Sequence, residues 1–568
     1  MTNTGTFAPL LNKRDYNENE KIVLEYFFTN IDKNIYCAKN TLSYQLWAFL
    51  VGQYSRSDLS MRDRFLQLFQ DNDKALEKGL ISKEEHISLD DLAQDIKNSK
   101  SIKLDYFEQR SSDFLKKWGV DFGHNSLKDA DRIRFAIEGV SQVFTKVIES
   151  PFPALGDFQE KSTRYLHFGK ESLIIPQDLL DSNYASDIKQ ISNDLMETYL
   201  KSFPIVRKAL EDNQIVKREE FTSDRSYENT LNAKIFDIVR YLLPSNVSTS
   251  LGASFSTRTL ESHLTYMLSH PLLEVRTIAE TMHTEALKLS PGLLKHVGVS
   301  EYELKKRQNL DRYTKELFRT IFEKEDNIEF FKGIDDKDRV DLVFEGDLDN
   351  QICASLLFEN SRSKGLSYNE CLDIVLEMDK NEKEYIMKLA LGDRGSHDRM
   401  PRALQHSSVM FEFLIDFGAY RDIQRHRASS QLWQGATAIS GYDYPEYINL
   451  PGMEEFKDMY DDVMAKATLL ANDIVKENTY LSEYACALGH LVRTTFEMNP
   501  GQLAYVIEQR TTPWGHHSYR RLFIEVYNQL KEIAPIYAKY IRVGKVEEES
   551  SRKIQEEKSE VKRQKLGI

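Results

Sequence analysis

Cysteine is scarce in this sequence: four residues (Cys37, Cys353, Cys371, Cys486) are spread over 568, without a C-x-x-C spacing or a close Cys/His pair. This usage excludes a disulfide scaffold and a thiolate zinc site, and it suits a reducing compartment. Also missing are an apolar run of about 18 residues and the apolar segment of a signal peptide at the amino terminus. We therefore expect a cytoplasmic protein without membrane association.

Several fingerprints of common enzyme classes are absent. No G-x-G-x-x-G, P-loop or G-x-S-x-G string occurs, so dinucleotide-binding Rossmann folds, P-loop NTPases and α/β-hydrolases lack their motifs. The 75 Lys and Arg against 89 Asp and Glu give a net charge of −14. A general nucleic-acid surface is excluded, since it requires net positive charge. A locally basic pocket for a small anion remains open.

The patterning is mostly helical. Apolar residues recur at three- and four-residue spacing over 186–215, 301–326 and 455–476, which predicts amphipathic helices. Short runs rich in β-branched and aromatic residues, Arg132–Val140 and Ser408–Ile415, predict strands that lead into helices. The predicted class is therefore mixed α/β (α+β) and helix-rich. The polar tail from Lys545 onward is expected to be a solvated helix or disordered.

The two halves of the chain contain weak echoes of each other in the same order. The segments are 123–140, 160–165, 239–246 and 256–260 in the first half and 395–413, 424–430, 487–490 and 498–503 in the second. Repetition in the same order predicts a duplicated unit. Chance likeness between two helical segments is the alternative.

The densest polar cluster is Arg425-His426-Arg427, directly after an apolar segment. Two guanidiniums around an imidazole suit an anion, because the planar Arg fork matches phosphate oxygens. The alternative is a solvated helix end, where basic residues favour the macrodipole. Asp422 is close enough in sequence to form an ion pair with one of the arginines.

Four further residues suggest ligand contacts: Ser162, Arg164, Arg240 and Arg510. Ser162 and Arg164 would point to one side if their segment were extended, whereas an ordinary Ser/Thr turn is the alternative. Arg240 lies in an apolar helix end, where a charge requires a carboxylate or a bound anion. Arg510 follows another apolar stretch. The adjacent His516-His517 pair points in two directions without an acidic partner, so structural roles are expected and no metal site is predicted.

These clusters, in this order, resemble the flavin-dependent thymidylate synthases. That family has R-H-R followed by S-x-R-Y, an Arg four residues before the Pro of L-P-x-N, an N-A-R stretch, and an Arg eleven residues after its Asn. The resemblance covers most of the chain as two diverged copies. The first copy keeps Glu160, Ser162, Arg164, Tyr165, Arg240 and Arg258, and the second keeps His406, Arg425, His426, Arg427, Asn499 and Arg510.

The two copies have lost complementary parts of this pattern. In the second copy Tyr442 stands where the family has the Arg of S-x-R, and Gly501 where it has the Arg of N-A-R. In the first copy R-H-R is gone around residues 152–154, and Met267 replaces the final Arg. The surviving residues together make one set. The resemblance therefore implies composite sites in which each copy supplies what the other lacks.

The resemblance also implies an architecture. It predicts two tandem thymidylate-synthase-complementing-type domains, each a small β-sheet flanked by long helices. The predicted ranges are 1–300 for the first repeat, 301–326 for a helical connector, 327–544 for the second repeat and 545–568 for a charged tail. Since the family is a homotetramer with shared active sites, a homodimer of tandem chains acting as a pseudo-tetramer is expected.

The implied activity is methylation of dUMP to dTMP, with methylenetetrahydrofolate as carbon donor, reduced FAD as hydride source and NADPH as reductant. By the same resemblance, dUMP would be held by Ser162, Arg164, Arg240 and Arg510, with Arg164 and Arg510 as catalytic residues. FAD would be held by Glu160, Arg258, His406, Arg425, His426, Arg427 and Asn499. Two alternatives stay open: a nucleotide- or flavin-binding pseudoenzyme, because of Tyr442 and Gly501, and a helical scaffold protein.

Overall fold

The structure is a computed structural model of the chain. It describes residues 3–4, 14–42, 50, 54, 57–79, 86, 88–98, 131–150, 152–153, 155–291, 293–294, 296–322, 336–343, 346–361, 363–544 and 553–566. Within these ranges no helix combines the length and the apolar character needed to cross a bilayer.

The described chain is rich in helices and contains ten strands. The strands are β1 (Asn3–Thr4), β2 (Ile35–Ala38), β3 (Arg132–Ser141), β4 (Asp157–Glu160), β5 (Ile174–Ile175), β6 (Ser248–Ser256), β7 (Val340–Val343), β8 (Val409–Asp416), β9 (Ser430–Trp433) and β10 (Leu491–Met498). The helices are α1 (Glu18–Phe27), α2 (Met61–Glu77), α3 (Leu89–Asn98), α4 (Gln142–Ile148), α5 (Gln177–Leu180), α6 (Ala185–Asp212), α7 (Asp224–Val239), α8 (Thr257–Leu268), α9 (Leu273–Leu287), α10 (Glu301–Phe322), α11 (Leu348–Asn360), α12 (Tyr368–Glu377), α13 (Lys380–Leu391), α14 (Phe417–Ile423), α15 (Glu454–Glu477), α16 (Pro500–Arg510), α17 (His517–Ile533), α18 (Pro535–Ala538) and α19 (Lys553–Leu566).

The chain forms two compact units. The first comprises Met1–Met196 and Pro244–Ile328, and the second comprises Glu197–Leu243 and Glu329–Ile568. Residues 197–243, which lie in the first sequence repeat, thus belong to the second compact unit. The predicted ranges describe repeats in the sequence, and the compact units do not follow them.

The first unit contains a four-stranded antiparallel sheet in the order β2-β3-β6-β4. β3 and β6 pair along their whole length, from Arg132 opposite Ser256 to Ser141 opposite Ser248, with a bulge at Gly139. Helices α1, α2 and α3 bury apolar side chains such as Leu24 and Phe65 in a common cluster. β1 and β5 form a separate parallel pair.

The second unit contains a four-stranded antiparallel sheet in the order β7-β8-β10-β9. β8 and β10 pair from Leu491 opposite Asp416 to Met498 opposite Val409. Phe413, on β8, packs against Phe496 of the sheet and Phe523 of α17 at ring-centroid distances of 5.7 and 5.5 Å. This aromatic contact attaches α17 to the sheet.

When the four strands of each sheet are numbered along the chain, both sheets have the same strand order. Helices also follow equivalent strands in both. β3 and β8 each lead directly into a seven-residue helix, α4 and α14, whose N-cap residues are Ser141 and Asp416. β6 and β10 lead into α8 and α16, with N-cap residues Ser256 and Asn499. The predicted fold class is confirmed, and the duplication read from the sequence has a structural counterpart.

Most predicted elements are present. The helical segments 186–215, 301–326 and 455–476 correspond to α6, α10 and α15, with 323–326 outside the described residues. The two predicted strands correspond to β3 and β8. Of the repeated segment 123–140, residues 123–130 also lie outside the described residues.

The polar tail contains a described helix, α19, which contacts α7 in the second unit. Glu557 accepts hydrogen bonds from the Thr222 hydroxyl (2.7 Å) and backbone N–H (3.2 Å). Glu556 accepts one from Asn229 (3.0 Å). Of the two states expected for the tail, the structure therefore shows a helix, attached through its acidic residues.

Gly489, in the second repeat, forms backbone contacts with the segment at the end of α7. Its N–H donates to the Tyr241 carbonyl at 2.8 Å, and the Leu488 N–H donates to Leu243. A Cβ at Gly489 would lie 2.8 Å from Tyr460 Oη and 3.1 Å from the Tyr241 carbonyl oxygen. The segment that carries Arg240 is thus held by backbone contacts with no space for a side chain.

We expect Gly489→Ala to lower the free energy of unfolding by about 1–3 kcal/mol, because the added methyl overpacks a rigid backbone contact. The urea midpoint of the full chain measures this change. Gly298→Ala is the matched control, since a Cβ there meets nothing within 4 Å. Equal midpoints for the two variants would contradict the argument.

Candidate functional site

Arg240 is buried at the end of α7, with 1% of its surface exposed. Its Nη1 lies 3.4 Å from Asp422 Oδ2. Its Nε and Nη2 are also buried and have no hydrogen-bond partner among the residues that the structure describes. Leaving buried guanidinium N–H groups without an acceptor is costly. The arrangement therefore suits an additional oxygen acceptor.

Gly418, the second residue of α14, makes room for this guanidinium. A Cβ at Gly418 would lie 2.9 Å from Arg240 Nη2, 3.3 Å from Arg240 Nε and 3.2 Å from Asp416 Oδ1. The two side chains thus flank the same α-carbon. Any residue other than glycine would push Arg240 out of its position.

Asp416 is the carboxylate on the inner side of Arg240. Its Oδ1 accepts the Ala419 N–H at 2.8 Å, which caps α14, and its Oδ2 accepts the Ser518 hydroxyl. Burial raises the pKa of this carboxyl to about 6, although the positive charge of Arg240 acts to lower it. Asp416 is therefore a fixed carboxylate near Arg240, with no exposed surface.

Asp422 is the carboxylate on the outer side. Besides Arg240, its Oδ1 lies 3.6 Å from Arg425 Nη2, and its backbone oxygen accepts a hydrogen bond from Arg510 Nη2 at 2.5 Å. Its side chain is 14% exposed. The ion pair expected between Asp422 and one of the neighbouring arginines is confirmed, and a second pair with Arg240 is present.

Arg510, at the end of α16, is half-buried and forms a polar pair with the buried His426. Arg510 Nε donates to His426 Nε2 at 2.7 Å, so the imidazole accepts at Nε2 and is neutral. Burial, followed by the positive charges of Arg510 and Arg425, lowers the pKa of His426 well below its ordinary value. Tyr505 packs edge-on against His426, and Tyr519 lies under the Arg510 guanidinium. The pair fixes the direction of Arg510.

The second unit therefore brings together four of the predicted site residues: Arg240 from the first repeat and Arg425, His426 and Arg510 from the second. Arg427 follows directly, with a half-buried side chain. We call Arg240, Asp422, Arg425, His426 and Arg510 the arginine cluster. It holds three guanidiniums, one exposed to solvent and one fully buried, around one partly exposed carboxylate.

Two other predicted residues of this unit lie at the far end of the same elements. Asn499 caps the start of α16, where its side chain accepts the Gln502 N–H, and α16 places it about 16 Å from Arg510. His406 is exposed and precedes Val409, which pairs with Met498. His406 and Asn499 therefore lie near the same end of the paired strands β8 and β10. This end is separate from the arginine cluster.

In the first unit, Glu160 ends β4 and is buried 3.8 Å from the Lys146 ammonium. The following segment is a turn, in which the Arg164 N–H donates to Ser162 Oγ at 3.2 Å. The extended segment that would align Ser162 and Arg164 is thus absent, because the hydroxyl bonds the backbone instead. Arg164 remains half-buried.

Arg258, the remaining predicted residue, is exposed near the start of α8. Glu160 pairs with Leu251 on β6, whereas α8 begins after Ser256 at the other end of that strand. The strand rise puts the two sites about 20 Å apart. The first unit thus does not place Arg258 beside Glu160.

His516 and His517 have structural environments. His516 caps α17 by accepting the Ser518 N–H at its Nδ1 (3.3 Å), and both rings stack on Tyr241. Burial lowers the pKa of His517 to about 3. The expected structural role of the pair is confirmed.

Three important residues were missed by the sequence patterns: Asp416, Gly418 and Glu483. In the sequence, Asp416 and Gly418 resemble an ordinary helix start. Their position beside the Arg240 guanidinium is visible only in the structure. Glu483 lies eight residues before β10, as Arg240 lies eight before β6. Burial raises its pKa to about 8. Aligning the two repeats by strand would have revealed this replacement of a cation by a neutral acid.

The family model described as "Thymidylate synthase complementing protein" matches residues 77–292 and 355–536 of this chain. The match in two regions confirms both the resemblance read from the motifs and its tandem form. A "UPF0159 protein" of Chlamydia muridarum is 28% identical over 564 residues, covering 95% of this chain and 99% of that protein.

A "UPF0159 protein" of Thermoplasma acidophilum is 23% identical, covering 77% of this chain and 89% of its own. A "Flavin-dependent thymidylate synthase" of Clostridium tetani is 24% identical over 197 residues, covering 34% of this chain and 74% of its own. A solved "UMP/dUMP methylase PolB" of Streptomyces cacaoi covers 35% of this chain and 93% of its own, with 14% identity and a TM-score of 0.27.

We expect the His426 imidazole to stay neutral between pH 8 and 5, because burial and two neighbouring guanidiniums oppose its protonation. Carbon-detected NMR of labelled histidines measures this. Arg510→Met, which introduces the residue of the first repeat, should raise the His426 pKa by removing the nearer charge. Arg399→Met, at an exposed arginine, is the control and should leave it unchanged. A His426 signal that titrates near pH 6.5 in the unaltered protein would refute the assignment.

Proposed function

Because this chain belongs to the thymidylate synthase complementing protein family, we propose that it methylates dUMP to dTMP in a flavin-dependent reaction. Methylenetetrahydrofolate is the carbon donor, reduced FAD supplies the hydride, and NADPH regenerates the reduced flavin. The similarity to the Clostridium tetani protein of that name supports this choice within the family.

The observation that carries the proposal is the buried guanidinium of Arg240. It has two N–H positions without an acceptor in the described structure, and it occupies the room that the missing side chain of Gly418 leaves. A phosphate monoester offers three acceptor oxygens and a charge of about −1.5 to −2 at pH 7. Charge-assisted bonds to phosphate would satisfy these N–H groups. Arg240 is therefore assigned to the phosphate of dUMP.

Arg510 is assigned to the pyrimidine. Its Nε and Nη2 are engaged by His426 and by the Asp422 carbonyl, so its position is fixed before a ligand binds. A pre-oriented guanidinium can stabilise negative charge that develops on a pyrimidine carbonyl oxygen, without reorganising during the reaction. A neutral His426 leaves the full charge of Arg510 available for this role.

FAD fits the segment Arg425–Arg427 by charge. Arg425 has a 41% exposed side chain and Arg427 a half-buried one, and a dinucleotide pyrophosphate needs such accessible cations. When bound, FAD would supply the hydride chemistry. The contacts of FAD with Glu160, Arg258, His406 and Asn499 stay predictions from the resemblance.

Binding without turnover is the competing function, and Gly501 is the observation that favours it. The family has an arginine at this position, whereas here a small residue follows Pro500 at the start of α16. The two functions share the ligands and differ only in the chemical step. The helical scaffold alternative is disfavoured, because a scaffold gives no reason for a buried guanidinium without acceptors.

We expect the purified chain to take up FAD and to form dTMP from dUMP when methylenetetrahydrofolate and NADPH are present. Formation of dTMP by chromatography and oxidation of reduced flavin by absorbance measure this. Protein that binds FAD and dUMP but forms no dTMP would establish the pseudoenzyme. Protein that takes up neither ligand would refute the proposal altogether.

Arg240→Met should weaken dUMP binding by roughly 100-fold, since loss of one partner of a buried charge pair costs about 2–5 kcal/mol. The affinity for deoxyuridine, which has no phosphate, should fall much less in the same variant. Isothermal titration measures both ligands. Arg312→Met on the exposed face of α10 is the matched control. Equal losses for dUMP and deoxyuridine would contradict the assignment of Arg240 to the phosphate.

Ser162 and Arg164 are proposed to take part in binding the same substrate. Arg164→Ala should then raise the dUMP dissociation constant by at least tenfold, about 1.4 kcal/mol, with no change in urea midpoint. An unchanged dissociation constant would remove the first repeat's turn from the site.

A homodimer is proposed as the working form, and light scattering that shows a monomer would contradict it.

A further inference from the structure

The two carboxylates beside Arg240 are held in different ways. Asp416 has no exposed surface, caps α14 and accepts the Ser518 hydroxyl. Asp422 is 14% exposed, and its oxygens lie 3.4 Å from Arg240 and 3.6 Å from Arg425. Asp422 is therefore the partly exposed carboxylate that pairs with Arg240 and Arg425, whereas Asp416 is fully enclosed.

Position on the helix reinforces this difference. Asp422 lies in the last turn of α14, where the helix macrodipole disfavours a carboxylate, whereas Asp416 is at the start, where it is favoured. The Asp422 backbone is nevertheless fixed, since its carbonyl accepts from Arg510 at 2.5 Å. Asp422 is consequently held through its backbone, while its side chain is partly exposed to solvent.

We propose that Asp422 is an exchangeable counter-anion of the arginine cluster, which neutralises Arg240 and Arg425 before binding and yields Arg240 to the phosphate of a nucleoside monophosphate. The inference rests on the proposed function for the identity of that ligand. Without a counter-anion, Arg240 and Arg425 would repel each other beside Arg510. With it, the cluster is stable and selective.

Selectivity follows from the difference in charge. Asp422 carries one negative charge, whereas a phosphate monoester carries about −1.5 to −2 and has more acceptor oxygens. A phosphate therefore displaces the carboxylate from the Arg240 guanidinium. A nucleoside without phosphate offers no group that can do so. Asp422 thus determines specificity by competing with the ligand's anion.

The test is anion binding to full-length Asp422→Asn, which keeps the side-chain shape and removes the charge. Inorganic phosphate, dUMP and deoxyuridine are titrated separately into it and into the unaltered chain by calorimetry. Phosphate and dUMP should each bind at least fivefold more tightly, and deoxyuridine should bind as before. Asp422→Ser is the second variant, in case the amide forms new bonds to the arginines.

Asp462→Asn is the matched control for net charge. Asp462 lies on α15 with a 63% exposed side chain, and within the described part of the chain its ion-pair partner is Lys466. Its replacement changes the charge of the chain by the same amount, so it should leave all three affinities within twofold. If Asp462→Asn bound phosphate and dUMP as much more tightly as Asp422→Asn does, the local explanation would be overturned.

The remaining outcomes separate the inference from the proposed function. Weaker or unchanged phosphate binding in both Asp422 variants, with unchanged circular dichroism and urea midpoint, overturns the counter-anion role, and so does loss of the fold in both. Tighter phosphate binding in variants that bind no dUMP retains the counter-anion and overturns the assignment of dUMP. Tighter binding of both ligands supports both statements.

Discussion

The site depends on one constraint: a guanidinium inside a protein must be matched by acceptors and by negative charge. Arg240 is fully enclosed, so the surrounding structure is arranged to tolerate it. Gly418 leaves space beside it, Asp416 supplies a buried charge, and Asp422 supplies an accessible one. Each of these three residues belongs to the second repeat, whereas Arg240 belongs to the first. The constraint thus ties the two repeats together chemically within one compact unit.

Duplication explains how such a pairing arises. Both sheets have the same strand order, yet equivalent positions carry opposite chemistry. Glu483 stands where Arg240 stands, and Met267 stands where Arg510 stands, each at the same distance from the adjoining strand or cap. Burial raises the pKa of Glu483 to about 8, so it is a neutral acid in its enclosed position. A single-copy protein must keep every residue of a site, whereas a tandem chain can divide one complete set between two copies.

The sequence predicted the local structure well and named most of the residues that form the arginine cluster. Periodicity identified α6, α10, α15, β3 and β8, because burial on one face directly sets the spacing of apolar residues. The ordered motifs identified four residues that the second unit brings together. Sequence patterns could not show that residues 197–243 pack in the second compact unit, since this depends on contacts such as that of Gly489 with Tyr241. Nor could they show that the Ser162 hydroxyl accepts a hydrogen bond from the Arg164 backbone N–H in a turn, because extended and turn conformations suit the same residues.

An acidic chain can bind an anion because charge acts locally and is screened over about 8–10 Å in physiological salt. The net charge of −14 is therefore a weak guide to the arginine cluster, where three guanidiniums face Asp422 and the buried Asp416. Three guanidiniums against these two carboxylates give a net charge of about +1, so the site is only weakly positive. A weakly positive site attracts few stray anions, and the proposed affinity for phosphate then comes from exchange of a weaker internal anion for a stronger external one. Selectivity in such a site is a difference between two anions competing for the same guanidiniums.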